Sequence, residues 1–186
     1  AILAGDALQP MAFELLAKGY QDIPEVAVDL VRMLAETAGS EQLVGGQMQD
    51  LLSEGAEPDA ENLGYIHQNK TAAMIRASLQ MGFRLGEKGG DSALMGLVAE
   101  AGLSLGLAFQ AVDDLLDVTR TSEELGKDAA HDAECGKVTW VGLLGEEKAR
   151  KLATQHTEDA LGKLEEVGGD NVFLLELVKR MLDRTH

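Results

Sequence analysis

Between Ser92 and Val112 the chain runs almost without interruption through apolar residues, and aspartates stand directly behind that run at 113, 114 and 117. A segment of this length and polarity belongs either in a bilayer or at the centre of a helical core. Glu100, Ser104 and Gln110 break the run and no basic residues flank it, which argues against a membrane span. The same stretch carries Gly96, Gly102 and Gly106. Glycine inside a helix costs about 1 kcal/mol relative to alanine. Its repeated use predicts a neighbouring helix packed against the backbone, or something bulky lying on it.

The rest of the chain reads as helix after helix. Ile23, Val26, Ala27, Leu30, Val31, Leu34 and Ala35 recur at helical spacing. Asp22 and Glu25 make a capping-box-like start, with Pro24 in the first turn and Gly39 as a stop. A second helix is predicted over about residues 59 to 86, capped by Asp59 and broken at Gly89-Gly90. Asp91 caps the long helix, which ends near Thr119. Helices near 146 to 167 and 171 to 184 are separated by Gly168-Gly169, with Asp170 as the cap. No stretch alternates in the manner of a strand, and the three prolines leave long helices unbroken. With no internal repeat, low-complexity segment or linker, the pattern predicts one all-α domain.

The formal charge of −16 argues against a nucleic-acid partner and against docking on an anionic membrane. An acidic protein still binds diphosphate where metal ions or local lysines reverse the field. The single cysteine, Cys135, has no internal partner, which fits a cytoplasmic location. The first residues lack the pattern of a signal peptide. The chain starts at Ala1 and enters an apolar-periodic run almost at once, so further residues upstream are expected.

The chemistry concentrates behind the apolar run. On a helix, Gln110, Asp113, Asp114 and Asp117 fall within an arc of about 100°. Carboxylates so close repel one another, and either protonation or a cation relieves them. Hard oxygen ligands in this number suit Mg²⁺, which keeps its waters and bridges to a substrate phosphate. A solvated helix face explains the same three aspartates equally well. Gly126-Lys127 and Gly136-Lys137 follow in a loop-like region, and Lys70-Thr71 offers another amine and a hydroxyl. Lysines suit phosphate oxygens as point charges, although any one of them read alone is a surface charge. In Gly45-Gly46-Gln47-Met48-Gln49-Asp50, Gln47 and Asp50 share a helix face at i, i+3, for which a cap-and-turn role and a supporting role behind the site are equally open. His67, His131, His156 and His186 show no metal spacing. His67 shares a face with Lys70 but reads as a solvent histidine. Cys135 lacks an obvious base, and Trp140 is expected to anchor packing near the lysine loop.

At this level of detail the chain resembles the trans-prenyl diphosphate synthases of the short-chain bacterial farnesyl or geranylgeranyl type. The matching elements are Leu3-Ala4-Gly5-Asp6-Ala7-Leu8, Gly45-Gly46-Gln47 with Asp50, Lys70-Thr71, Gly106 to Asp117, Gly126-Lys127 and Gly136-Lys137-Val138-Thr139. They occur in the family's order and spacing from Ile2 to the C-terminus. The resemblance implies an isoprenoid synthase helical bundle around a central cavity, with two aspartate-rich motifs holding three Mg²⁺ ions against an allylic diphosphate. Gly106 to Asp117 corresponds to the second motif. The first motif, the arginine pair after it and the isopentenyl diphosphate pocket lie upstream of Ala1 in the family. This chain therefore resembles the C-terminal part of such a domain, its N-terminal helices missing, and by itself is expected to be inactive in condensation.

Residue by residue, the resemblance implies Asp113 as a direct metal ligand, supported by Asp114 and Asp117. Lys70, Lys127 and Lys137 would grip the diphosphate. Thr71, Phe109 and Gln110 would line the cavity where the allylic cation forms, with Gln47 and Asp50 behind them. Family members are usually homodimers through helices in the region of residues 2 to 55. The apolar pattern of the first two helices is equally compatible with a core. Two rivals are a terpene cyclase, whose second metal motif is of a different Asn/Ser/Glu type, and a non-catalytic helical subunit or interaction module of the same fold.

Overall fold

The structure, a computed structural model, describes all residues except 58, 87–88, 120–137 and 184–186. Among them there are helices and no strands. The elements are α1 (Ile2–Gly19), α2 (Pro24–Ala38), α3 (Leu43–Leu52), α4 (Ala60–Ile66), a π-helical turn (His67–Ala72), α5 (Ala73–Leu85), α6 (Ser92–Thr119), α7 (Trp140–Leu144), α8 (Glu146–Val167) and α9 (Val172–Asp183).

The apolar run becomes α6, and the other helices assemble on it. Long and apolar enough to cross a bilayer by length and composition, it is instead the helix on which α5, α8 and the π turn pack. Its face towards α8 contributes Ala111, Val112, Leu115 and Leu116, which meet Ala149 and Ala153. Further towards the start of α6, Ala101 and Leu105 join Ala160 and Leu164 of α8 and Val178 of α9. Alanines let α6 and α8 approach closely, and complete burial makes each of these contacts count.

The opposite side of α6 carries the glycines. A Cβ on Gly102 would stand 2.6 Å from the Arg76 Cα, and one on Gly106 would stand 2.3 Å from the Ala72 Cα. No side chain fits at either position, which is the close helix approach that the glycines predict. Gly96 departs from the expectation, since a Cβ there meets nothing within 4 Å.

Several start and stop signals operate as read and others do not. Asp59 accepts from the amides of Glu61 and Asn62, at 3.1 and 3.3 Å. Asp91 does the same for Ala93 and Leu94, at 3.0 and 3.1 Å. Asp59→Ala should therefore cost about 1 kcal/mol in chemical denaturation, the usual worth of an N-cap. By contrast, α2 is capped at Ile23 without a side-chain bond, and Pro24 rather than Asp22 sets its start. The helix before Gly89-Gly90 ends where expected, at Leu85 with Gly86 as cap. Asp170 caps nothing: α9 begins at Val172, and the Asn171 side chain donates backwards to the Leu164 carbonyl at 2.7 Å. Gly168 and Gly169 hold φ of 68° and 83°, so the break between α8 and α9 uses a backbone that favours glycine.

Within this chain α1 is not core. None of its residues is buried, and Ile2, Leu3, Leu8, Met11 and Leu15 are all exposed.

Candidate active site

The residues from Ala60 to Leu85 form one helical run that changes pitch in the middle. A π turn is an unfavourable insertion that recurs at functional sites, and here it carries His67, Lys70 and Thr71. Two glycine contacts grip it. On one side is Gly106 of α6; on the other is Gly46 of α3, where a Cβ would stand 2.5 Å from the Lys70 amide nitrogen. That contact gives Gly46 its purpose. Gly45 lies against the Ser40 carbonyl oxygen, 2.2 Å from where its Cβ would be. The close approach of α3 brings Asp50 to Lys70, and the two form an ion pair of 2.5 Å. Gln47, on the same helix, is exposed.

From the π turn a polar chain crosses to α6. The Thr71 hydroxyl donates to Gln110 Oε1 at 3.2 Å, and Gln110 Nε2 donates to Asp114 Oδ1 at 3.2 Å. The other oxygen of Asp114 accepts from the Trp140 amide at 2.7 Å. Trp140 packs on the Ala111, Val112 and Leu115 cluster, as its place in the sequence suggests. Its ring also meets His67 edge to face, with centroids 5.7 Å apart and planes at 74°. The contacts thus close a circuit that leaves the π turn at Thr71 and returns to it at His67.

Asp50, His67, Lys70, Gln110, Asp114, Val138 and Thr139 line one small cleft of about 70 Å³, with Leu63 and Ile66 as its apolar side. Phe109 faces elsewhere, into an apolar cavity of about 380 Å³ bounded also by Ile75, Leu105, Leu177, Val178 and Met181. Lys127 and Lys137 lie outside the described residues, as do Cys135, His131 and His186.

Charge in the cleft is strongly shaped by burial. Asp114 is 5% exposed. Burial pushes its carboxyl up to about 6, further helped by the charges of Asp113 and Asp117 and opposed by the bonds from Trp140 and Gln110. His67 is 7% exposed rather than solvated, contrary to the sequence expectation, because the π turn and Trp140 enclose it. Burial lowers its imidazole to about 4, with Asp50 pulling it up and Lys70 pushing it down. At neutral pH His67 is uncharged. It is the cleft residue that sequence reasoning passed over. Its signal was the apolar pair Leu63 and Ile66 just ahead of it, together with Lys70 three residues on.

The three aspartates divide in their surroundings. Both oxygens of Asp114 are engaged by protein donors, whereas Asp113 and Asp117 are only partly buried. Among the described residues no three carboxylate, imidazole or thiol groups come together as a metal cage. Asp113 and Asp117, four residues apart on α6, are hard oxygen donors of the kind that Mg²⁺ takes, one or two carboxylates with water and phosphate oxygens completing its shell.

Comparison with known proteins decides the family. The model of the polyprenyl synthetase family matches residues 1–175. The chain belongs to that family. It is 42% identical over 168 residues to a chloroplastic geranylgeranyl pyrophosphate synthase of Catharanthus roseus, covering 89% of this chain and 46% of that one. It is 38% identical over 170 residues to the farnesyl diphosphate synthase of Haemophilus influenzae, covering 91% and 58%. The geranyltransferase of Helicobacter pylori, solved in complex with magnesium and isoprenyl diphosphate, superposes with a TM-score of 0.81 at 33% identity, over 98% of this chain and 59% of that one. The chain thus spans about half the length of the curated relatives it matches, and its all-α architecture is that of the isoprenoid synthase fold.

Proposed function

We propose that the chain is the C-terminal part of one prenyl diphosphate synthase domain, a Mg²⁺-dependent prenyltransferase. It condenses an allylic diphosphate with isopentenyl diphosphate to farnesyl or geranylgeranyl diphosphate. The observation that carries this is the convergence of Lys70, Gln110 and Asp114 on one cleft, with Thr71 hydrogen-bonded to Gln110, in a member of the polyprenyl synthetase family.

In this reading Lys70 meets the diphosphate, together with Lys127 and Lys137, and takes up the negative charge that grows as the allylic bond breaks. Asp113 and Asp117 hold Mg²⁺, three ions serving the complete site. When bound, the metal supplies charge neutralisation to the leaving diphosphate. Asp114 acts from behind, holding Gln110 and the Trp140 amide in place. The Thr71 hydroxyl donates its hydrogen bond to Gln110 Oε1, so its lone pairs remain available to an allylic cation. Phe109 walls the separate apolar cavity, while Leu63, Ile66 and Val138 help keep water from the cleft. Asp50 orients Lys70, and Gln47 stands on the same helix. The first-motif carboxylates are not in these 186 residues, so alone they do not condense. A cytoplasmic location and a second copy of the protein covering the exposed apolar residues of α1 complete the proposal.

Lys70→Ala and Asp113→Ala, made separately in the full-length protein, should each lower kcat/KM by about 10²-fold or more. Wild-type protein should bind inorganic pyrophosphate in calorimetry only when Mg²⁺ is present. Unchanged condensation in both variants would remove the assignment. A non-catalytic subunit of the same fold predicts that outcome, together with no pyrophosphate binding.

A further inference from the structure

Among the described residues, Nδ1 of His67 is a fully buried side-chain nitrogen without a hydrogen-bond partner. An apolar side chain of similar size would fill that space without the desolvation cost of an unmatched polar atom. Packing alone therefore does not account for an imidazole at this position, and its neighbours suggest what does. Lys70 lies three residues further along the same π turn, and Asp50 lines the same cleft. The Asp50 charge already attracts the His67 ring. Asp50 is at present satisfied by the Lys70 ammonium. The proposed reaction needs that ammonium elsewhere. When Lys70 turns to a bound diphosphate, Asp50, with a side chain only 23% exposed, is left as an unpaired and largely buried charge, which is unfavourable.

We propose that Asp50 exchanges partners, accepting a hydrogen bond from Nδ1–H of His67 as Lys70 passes to a bound diphosphate. The inference rests on the cleft being a diphosphate site. His67 is then a positioning residue that never touches substrate. It keeps Asp50 satisfied in both states and so lowers the cost of moving Lys70. The edge contact with Trp140 holds the ring's plane while the exchange takes place.

The test uses full-length protein labelled with ¹⁵N-histidine, with inorganic pyrophosphate and MgCl₂ as the probe. The His67 resonances are those lost in His67→Gln. On adding pyrophosphate, the Nδ1 signal should shift as that nitrogen becomes a hydrogen-bond donor, and Asp50→Ala should abolish the shift. In calorimetry His67→Phe should weaken pyrophosphate binding about tenfold, the worth of one hydrogen bond to a charge. His67→Gln, whose amide also donates, should stay within about threefold. In the Asp50→Ala background His67→Phe should have no further effect, because no carboxylate awaits a donor. Unmoved His67 resonances in protein that binds pyrophosphate would overturn the exchange. So would equal losses in the Phe and Gln variants, or additive losses with Asp50→Ala. If His67→Phe does not fold, the wild-type resonances decide the matter alone. Failure of wild-type protein to bind pyrophosphate at all would instead overturn the diphosphate reading, and this inference with it.

Discussion

Gly106→Ala is expected to destabilise the protein by about 3 kcal/mol, at the upper end of the usual cost of overpacking. Two effects oppose each other in this substitution. Alanine is the better helix former by about 1 kcal/mol. Against it, the new methyl would lie 2.3 Å from the Ala72 Cα and 2.5 Å from its Cβ. Neither is the movable end of a flexible side chain, so the helices themselves must separate and lose contacts along their length. The separation also pulls Thr71 from Gln110, because both sit next to the contact. Gly96→Ala, on the same helix, meets nothing within 4 Å and should stabilise by up to about 1 kcal/mol through propensity alone. Urea denaturation of the two variants provides the check. Equal and opposite to this expectation would be a tolerated Gly106→Ala, which would mean that α6 and the π turn are not in backbone contact.

The second large effect is a hidden pH dependence. Asp114 titrates near 6 in the folded protein against an ordinary value of 3.8. The unfolded chain therefore loses this proton first, and the stability contributed below pH 4 disappears as pH rises through about 6. His67 titrates near 4 when folded against 6.5 ordinarily. The unfolded chain therefore gains this proton first, and the stability contributed above pH 6.5 disappears as pH falls through about 4. Each effect is worth about 3 kcal/mol across the window. Their signs are opposite and their windows nearly coincide, so they largely cancel in the wild-type protein. Single substitutions should expose them. His67→Gln leaves Asp114 alone, so stability should fall from pH 4 to pH 6. Asp114→Asn leaves His67 alone, so stability should rise over the same range. Metal-free denaturation curves at pH 4, 5 and 6 would read both slopes. Flat profiles in both variants would show that neither group is buried as described.

The part of the site that was legible in sequence rests on chemistry that is local. Acids at 113, 114 and 117 on one helical turn repel wherever the helix lies, and glycines at 102 and 106 announce a close neighbour without naming it. Caps such as Asp59 and Asp91 act on amides two and three residues away, so their geometry is complete in the sequence. Asp22 and Asp170 failed as caps because Pro24 and Asn171 offered competing local solutions, a choice that propensity does not rank.

What the amino-acid order alone determined was the all-α class, the central apolar helix and the residue types suited to diphosphate, since periodicity and composition act within one helix turn. What only the tertiary structure decided was which of those residues meet. A π turn shifted the phase of the helix carrying Lys70 and Thr71, and the approach of Gly46 brought Asp50 to the lysine. The Trp140 amide, twenty-six residues beyond Asp114, occupied one oxygen of that carboxylate. His67 changed from an expected solvent group to an enclosed, uncharged one for the same reason: burial is a property of the elements packed around a residue, and those come from distant parts of the chain.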